Sequence, residues 1–374
     1  MAQTLSSRWT EAGCRIDDLQ AVLSERTDLA DFPHASAVEQ EVLVYDADGL
    51  RAAPPEELVR AFTDGPGVVV IRGAFPDTSV VDRATAAFDE LIAAQRASGA
   101  VAGDHFATPG SNDRIWNALE KLAVHAPEVF VEYYANDVIA LVSHAWLGPG
   151  YQVTSQVNVV NPGGKAQVGH RDYHLGFLAP DVIEQYPEHV HRLSPVLTLQ
   201  GAVAHSDMPL ESGPTLYLPH SQKYGPGYLA TNRPEFRAYF DHHHVQLPLR
   251  KGDAAFFNPA VIHGAGTNRS ADIHRMANLL QVSSAFGRAM DAVDRTRVCA
   301  AVYQALRTHT HPEHAIAAAA DGYAFPTNLD RDQPVDGLAP PTQADLVRRA
   351  LVEDWDEMTF WSALDADATK RATA

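Results

Sequence analysis

The sequence predicts a mainly β core with α: a double-stranded β-helix, or jelly roll, flanked by N-terminal and C-terminal helices. Three observations predict it. From Tyr151 onward, roughly seven or eight short extended segments follow one another between Gly and Pro turns. On either side of them apolar residues recur at helical spacing. Within them, His170 and Asp172 stand two residues apart, and on an extended strand such neighbours point the same way.

The elements can be justified in chain order. Residues 1–50 are mixed and polar, with one helical period over 16–23 that reads as a peripheral helix. Pro54-Pro55 followed by Glu56 and Glu57 opens a second helix, Asp64-Gly65-Pro66-Gly67 closes it, and Val68-Val69-Val70-Ile71 reads as a buried strand. A helix over 79–95 presents Val80, Ala84, Phe88 and Leu91 on one face. The Gly-, Asn- and Pro-rich run 104–116 reads as a long loop of the kind that walls a pocket, with His105 on its surface. Packing helices are expected over 117–124 and 128–147.

At 151–160 the period switches to two, placing Thr154, Gln156 and Asn158 on one face and Val153, Val157 and Val159 on the other. A polar face turned inward would line a pocket; turned outward it would only meet water. Pro162-Gly163-Gly164 then turns the chain into the strand expected to carry His170 and Asp172. Residues 178–195 read as loop or short helix, with His189 and His191 on the surface. Strands follow at 196–205, 215–219, 245–249 and 254–257, around His263, and from Arg275 to about 286. His242-His243-His244 looks like a metal tract, but consecutive residues on a strand point to opposite sides and cannot meet one ion. They are expected to be exposed. Ala-rich helices are expected at 290–307, 313–320 and 343–361, with a Pro-rich link over 332–341. The expected organisation is a peripheral segment 1–50, a jelly-roll domain 51–288 with its N-terminal helices, and a helical extension 289–374 that packs on that domain or makes a homodimer contact.

One imidazole and one carboxylate on one side of a strand make two thirds of a facial metal site. The third ligand must come from a strand folding back beside them, and His263 is the candidate. Two His and one carboxylate leave the remaining positions of an octahedral ion open, as in non-haem Fe(II) oxygenases. Arg275 opens the apolar run that follows, and its permanent charge and two-pronged geometry suit the distal carboxylate of 2-oxoglutarate. His205, at a strand end, is the rival third ligand, but no Arg follows it at useful spacing.

Composition narrows the function classes. A formal net charge of −18 opposes nucleic acid and anionic membrane surfaces as partners, since both need a cationic face. Two cysteines, far apart, imply no disulfide framework or structural zinc and fit a reducing cytoplasm. Neither a signal peptide nor a run of 18 apolar residues is expected.

The motifs together resemble the phytanoyl-CoA dioxygenase family of Fe(II)- and 2-oxoglutarate-dependent oxygenases, from about Glu57 to Phe286. The anchors are His170-x-Asp172, the Glu211-Ser212-Gly213-Pro214-Thr215-Leu216-Tyr217-Leu218-Pro219 stretch, Lys251-Gly252-Asp253 with its apolar sequel, and His263-Gly264-Ala265-Gly266-Thr267-Asn268-Arg269-Ser270 leading to Arg275. The resemblance implies His170, Asp172 and His263 as iron ligands, Arg275 as partner of the 2-oxoglutarate C5 carboxylate, and Gln156, Asn158 and Thr215 as further contacts. It implies Fe(II) as cofactor, 2-oxoglutarate and O2 as cosubstrates, and release of succinate and CO2 as a small-molecule substrate is oxidised. Related halogenating enzymes carry a small residue in place of the carboxylate ligand, so Asp172 favours hydroxylation. Two departures stand out: Ala265 replaces a frequent Ser, and Pro219-His220-Ser221-Gln222 replaces a usual Pro-Gly-Ser-His stretch.

His174 would extend the ligand-bearing strand face two residues past Asp172. A fourth protein ligand would close a position the cosubstrate needs, so His174 is expected to face substrate, with Tyr173 and Phe177 as pocket walls. Two alternatives are a cupin-like metal enzyme without an oxo-acid cosubstrate, in which Arg275 is structural, and a non-catalytic jelly-roll binding module.

Overall fold

Among the residues that the computed structural model describes, 8–99 and 111–373, eleven strands form two sheets. The strands are β1 (Ala37–Glu39), β2 (Val42–Asp46), β3 (Val68–Arg72), β4 (Asn112–Ile115), β5 (Gln152–Val160), β6 (Thr198–Ala204), β7 (Leu216–Leu218), β8 (Val245–Gln246), β9 (Ala254–Phe257), β10 (Ile262–Gly264) and β11 (Arg275–Ser283). The larger sheet runs β1-β2-β3-β9-β6-β11-β5-β4, mixed because β2 and β3 are parallel while its other neighbours are antiparallel. The smaller sheet runs β10-β7-β8.

Register decides what each face of the large sheet does. Gln156 lies opposite Leu279, Gln281 opposite Gln200, and Gln200 opposite Phe257, so these side chains share one face. Val157, Leu280, Val203 and Phe256 alternate with them and face the other way, into the main apolar core. There they pack with the helices Ser79–Ala97, Ala118–His125, Pro127–Tyr134, Asp137–Leu147 and Arg295–Thr308. Each such side chain, fully buried, contributes about 1.5–3 kcal/mol. The polar face of β5 is therefore turned toward a cavity, not toward bulk water.

Several elements depart from the sequence-based expectations. The helix expected over 128–147 is two helices, because Asn136 caps the second with its Oδ1 accepting from the Ile139 N–H (3.0 Å). The one expected over 343–361 is likewise two, Gln343–Val352 and Glu357–Arg371, with Asp356 capping the latter. Residues 112–115, expected as loop, are β4 and borrow their order from β5. His242 and His243 end the helix Pro234–His243 instead of lying on a strand, and both are exposed as expected. His191 is buried, not on the surface, because Trp9 from the N-terminal segment packs edge-on against its ring at 5.1 Å. His105 lies outside the described residues. No helix among the described residues is long and apolar enough to cross a membrane.

Candidate metal centre

His170 is not on a continuous strand. It forms an isolated antiparallel bridge with His263 of β10, N–H to carbonyl in both directions at 2.9 and 3.0 Å. After it the backbone turns away, with Tyr173 and His174 at φ 64° and 44° and a short 3-10 helix over His174–Phe177. The strand expected to carry His170, Asp172 and His174 on one face is thus a bridge and a tight loop. The first two still converge with His263. One ligand atom from each of the three lies within 4.8 Å of the others.

Hydrogen bonding sets the tautomers. His170 Nδ1 lies 2.8 Å from the Val168 carbonyl and His263 Nδ1 lies 3.0 Å from the Val261 carbonyl. A carbonyl can only accept, so each Nδ1 carries a proton and each Nε2 is left to face Asp172. Those Nε2 atoms are 3.5 and 3.3 Å from the two Asp172 oxygens. Gln200 of β6 donates its Nε2–H to Asp172 Oδ2 at 2.6 Å. Burial pushes the Asp172 carboxyl up, but His263, His170 and Gln200 together hold it below the ordinary carboxylate range. Burial likewise keeps the His170 imidazole below its usual value, against the pull of Asp172. Two imidazole nitrogens and a carboxylate that face one another form a donor set suited to a divalent transition metal with open positions.

The triad opens into a cavity of about 1000 Å³. Arg275, first residue of β11, is buried in its wall, and its Nη1 has no hydrogen-bond partner among the described residues. Burial lowers the guanidinium to about 10, with Tyr217 countering, so it stays charged at neutral pH. Tyr217 acts on it directly, and Met208, Leu247, Leu249 and Phe257, from the same separate apolar cluster as Tyr217, line the same cavity. A lone buried cation in apolar surroundings is costly unless an anion joins it. A 2-oxoglutarate carboxylate fits that requirement, as Fe(II) fits the triad.

Gln156, Asn158 and Thr215 also line the cavity. Gln156 Oε1 accepts from Arg114 Nη1 (3.1 Å), its Nε2 donates to Gln281 Oε1 (3.3 Å), and Asn158 Oδ1 accepts from Asn112 (3.3 Å). His174, Tyr173 and Phe177 line it as expected, though from the loop. His174 Nδ1 sits 3.1 Å from Ser194 Oγ, and the buried Tyr173 hydroxyl has no partner among the described residues. His205, the rival ligand, lies on the opposite face of the sheet between Tyr133 and Thr85.

Arg114 and Trp116 line the cavity, as expected of a pocket wall at 104–116, whereas sequence reasoning missed Gln200 and Tyr217 in the same wall. Gln200 did carry a signal, as a lone amide inside an apolar strand-like run. Tyr217 did not, since only the register opposite His263 brings it to the site. Met290, at the start of the C-terminal extension, also reaches the cavity.

Comparison with curated proteins finds no match. Among solved structures, the chain is similar to the non-haem α-ketoglutarate-dependent carbocyclase SnoK from nogalamycin biosynthesis, at 21% identity over 63% of this chain and 86% of that one, TM-score 0.44. It is similar to the α-ketoglutarate-dependent epimerase SnoN of the same biosynthesis (20%, covering 62% and 83%, TM-score 0.41). A third is HygX from Streptomyces hygroscopicus with nickel and 2-oxoglutarate bound (15%, covering 65% and 92%, TM-score 0.41). A family model described as phytanoyl-CoA dioxygenase (PhyH) matches residues 63–277, more than half of the chain. On that match the chain belongs to the PhyH family of Fe(II)- and 2-oxoglutarate-dependent enzymes, with Fe(II), 2-oxoglutarate and O2 as its cofactor and cosubstrates.

Proposed function

We propose that this protein is a dioxygenase that hydroxylates, or otherwise oxidises, a small or medium-sized metabolite and releases succinate and CO2. The carrying observation is that His170, Asp172 and His263 meet at one point of a cavity whose wall also holds the unpartnered Arg275 Nη1. Iron held there supplies the coupling of 2-oxoglutarate decarboxylation to substrate oxidation. His170, Asp172 and His263 would hold the metal through three ligand atoms, so that 2-oxoglutarate and O2 could reach it from the cavity. Gln200 orients Asp172 by donating to its Oδ2. Arg275 grips the distal carboxylate, and the Thr215 and Tyr217 hydroxyls stand in for the contact that Ala265 cannot make. Leu247, Leu249 and Phe257 exclude water around that ion pair, while His174, Tyr173 and Phe177 meet the substrate.

The two sheets are read as the halves of a double-stranded β-helix centred on 51–288; residues 37–46, expected in a peripheral segment, add β1 and β2 to its larger sheet because β2 pairs with β3, and 289–374 packs against it. Two free, buried cysteines fit a reducing cytoplasm. The test is succinate release across metabolite pools with Fe(II) and 2-oxoglutarate, alongside the visible band that Fe(II) and 2-oxoglutarate give anaerobically. Iron binding without either signal would sink the proposal.

A further inference from the structure

Asp172 lies on no strand, so something other than sheet pairing must fix where its carboxylate points. Its neighbour Arg171 turns away from the cavity and is buried. Arg171 Nη2 donates to the Ser221 carbonyl and to the Tyr224 carbonyl (2.9 Å), and the guanidinium carbon lies 5.3 Å from the Tyr228 ring centroid. Gly227 makes the space, since a Cβ there would fall 1.9 Å from the Arg171 guanidinium carbon. From the other ligand strand, the Ile262 N–H, next to His263, donates to Ser221 Oγ at 2.7 Å. One buried residue, Ser221, therefore receives a hydrogen bond from each of the two segments that carry the triad.

The energetics argue against a purely stabilising role. Among the described residues Arg171 has no carboxylate partner, and its Nε has no acceptor. A guanidinium buried on carbonyls alone is a poor source of stability compared with an apolar side chain of the same length. It does, however, impose direction, because a planar guanidinium whose Nη2 is held by two backbone carbonyls and whose face lies against Tyr228 leaves the backbone between His170 and Asp172 little freedom. Resting on the metal reading above, we infer that Ser221 and Arg171 are positioning residues that hold the Asp172 loop and the His263 strand at ligating separation. The Ser221 turn thereby acts as a clasp beneath the metal centre.

The test uses the full-length protein and Co(II) as probe, read by its visible absorption. Arg171→Met keeps the length and removes the donors, and Ser221→Ala removes the acceptor for Ile262. Both should weaken Co(II) binding about ten- to a hundredfold and alter the Co(II) spectrum. Arg171→Lys should recover part of the affinity. Gln222→Ala is the control: its side chain bonds the Thr63 and Gly65 carbonyls, away from both ligand segments. It should leave Co(II) affinity at the wild-type level. Wild-type affinity and spectrum in Arg171→Met and Ser221→Ala would overturn the clasp while leaving the metal site standing. So would an equal loss in Gln222→Ala. A wild-type protein that binds no Co(II) overturns the metal reading itself, and the clasp with it.

Discussion

Two buried histidine environments sit on opposite faces of the large sheet and treat their imidazoles differently. His205, just past β6, faces the helices. Thr85 donates its hydroxyl to the Val81 carbonyl (2.8 Å), so it accepts from His205 Nδ1–H (2.9 Å), and Tyr133 O–H then donates to Nε2 (2.9 Å). Both ring nitrogens are engaged by protein, and burial lowers this imidazole to about 3. His170 and His263, on the cavity side, give Nδ1 to backbone carbonyls and turn Nε2 to the carboxylate they share. Burial alone therefore does not make a histidine a ligand. What matters is whether the second nitrogen faces a further ligand-type group, as Nε2 of His170 and His263 face Asp172.

The largest test of this contrast removes a cavity-side imidazole. His170→Ala or His263→Ala should abolish Fe(II) binding and reduce succinate release to background, whereas His205→Ala should retain iron stoichiometry, as measured by titration with the metal. Next in size, Arg275→Ala should raise the 2-oxoglutarate requirement about a hundredfold with iron retained. Two hydrogen bonds to a charged group are worth about 1.5–3 kcal/mol each, less partial replacement by water. An unchanged 2-oxoglutarate KM would remove Arg275 from that role.

Smaller effects belong to the helix side. Tyr133→Phe strands His205 Nε2 and should cost about 1–3 kcal/mol in denaturant unfolding without altering metal affinity. The pH dependence has a definite sign. His205 binds its proton far less readily folded than unfolded, with Asp82 only partly opposing burial. Between about 3 and the ordinary histidine value near 6.5 the unfolded chain holds the extra proton, so stability is full above that window and falls as pH drops through it. The slope approaches about 1.4 kcal/mol per pH unit. Comparing unfolding at pH 7 and pH 5 for wild type and His205→Leu should show the slope reduced in the variant.

Legibility differed in the same way between the two sides. His170, Asp172, His263 and Arg275 could be read because metal and carboxylate chemistry restricts which residue types serve. The period-two pattern of 151–160 disclosed the polar face of β5, and register then turned it inward. Gln200 and Tyr217 were overlooked because an amide and a phenol serve as well in packing as in a site. The helix breaks at Asn136 and Asp356 were overlooked because amphipathic periodicity runs on across a cap.

The sequence by itself determined the chemistry: two imidazoles, one acid and one guanidinium embedded in strand-forming runs. Only the tertiary structure decided the geometry. It replaced an expected strand by a loop that leaves Asp172 to Arg171 and Ser221, and it assigned His205 to the helices. The physical reason is that residue type limits which bonds an atom can make, whereas its partner is chosen by contacts between segments remote in the chain, which no local pattern records.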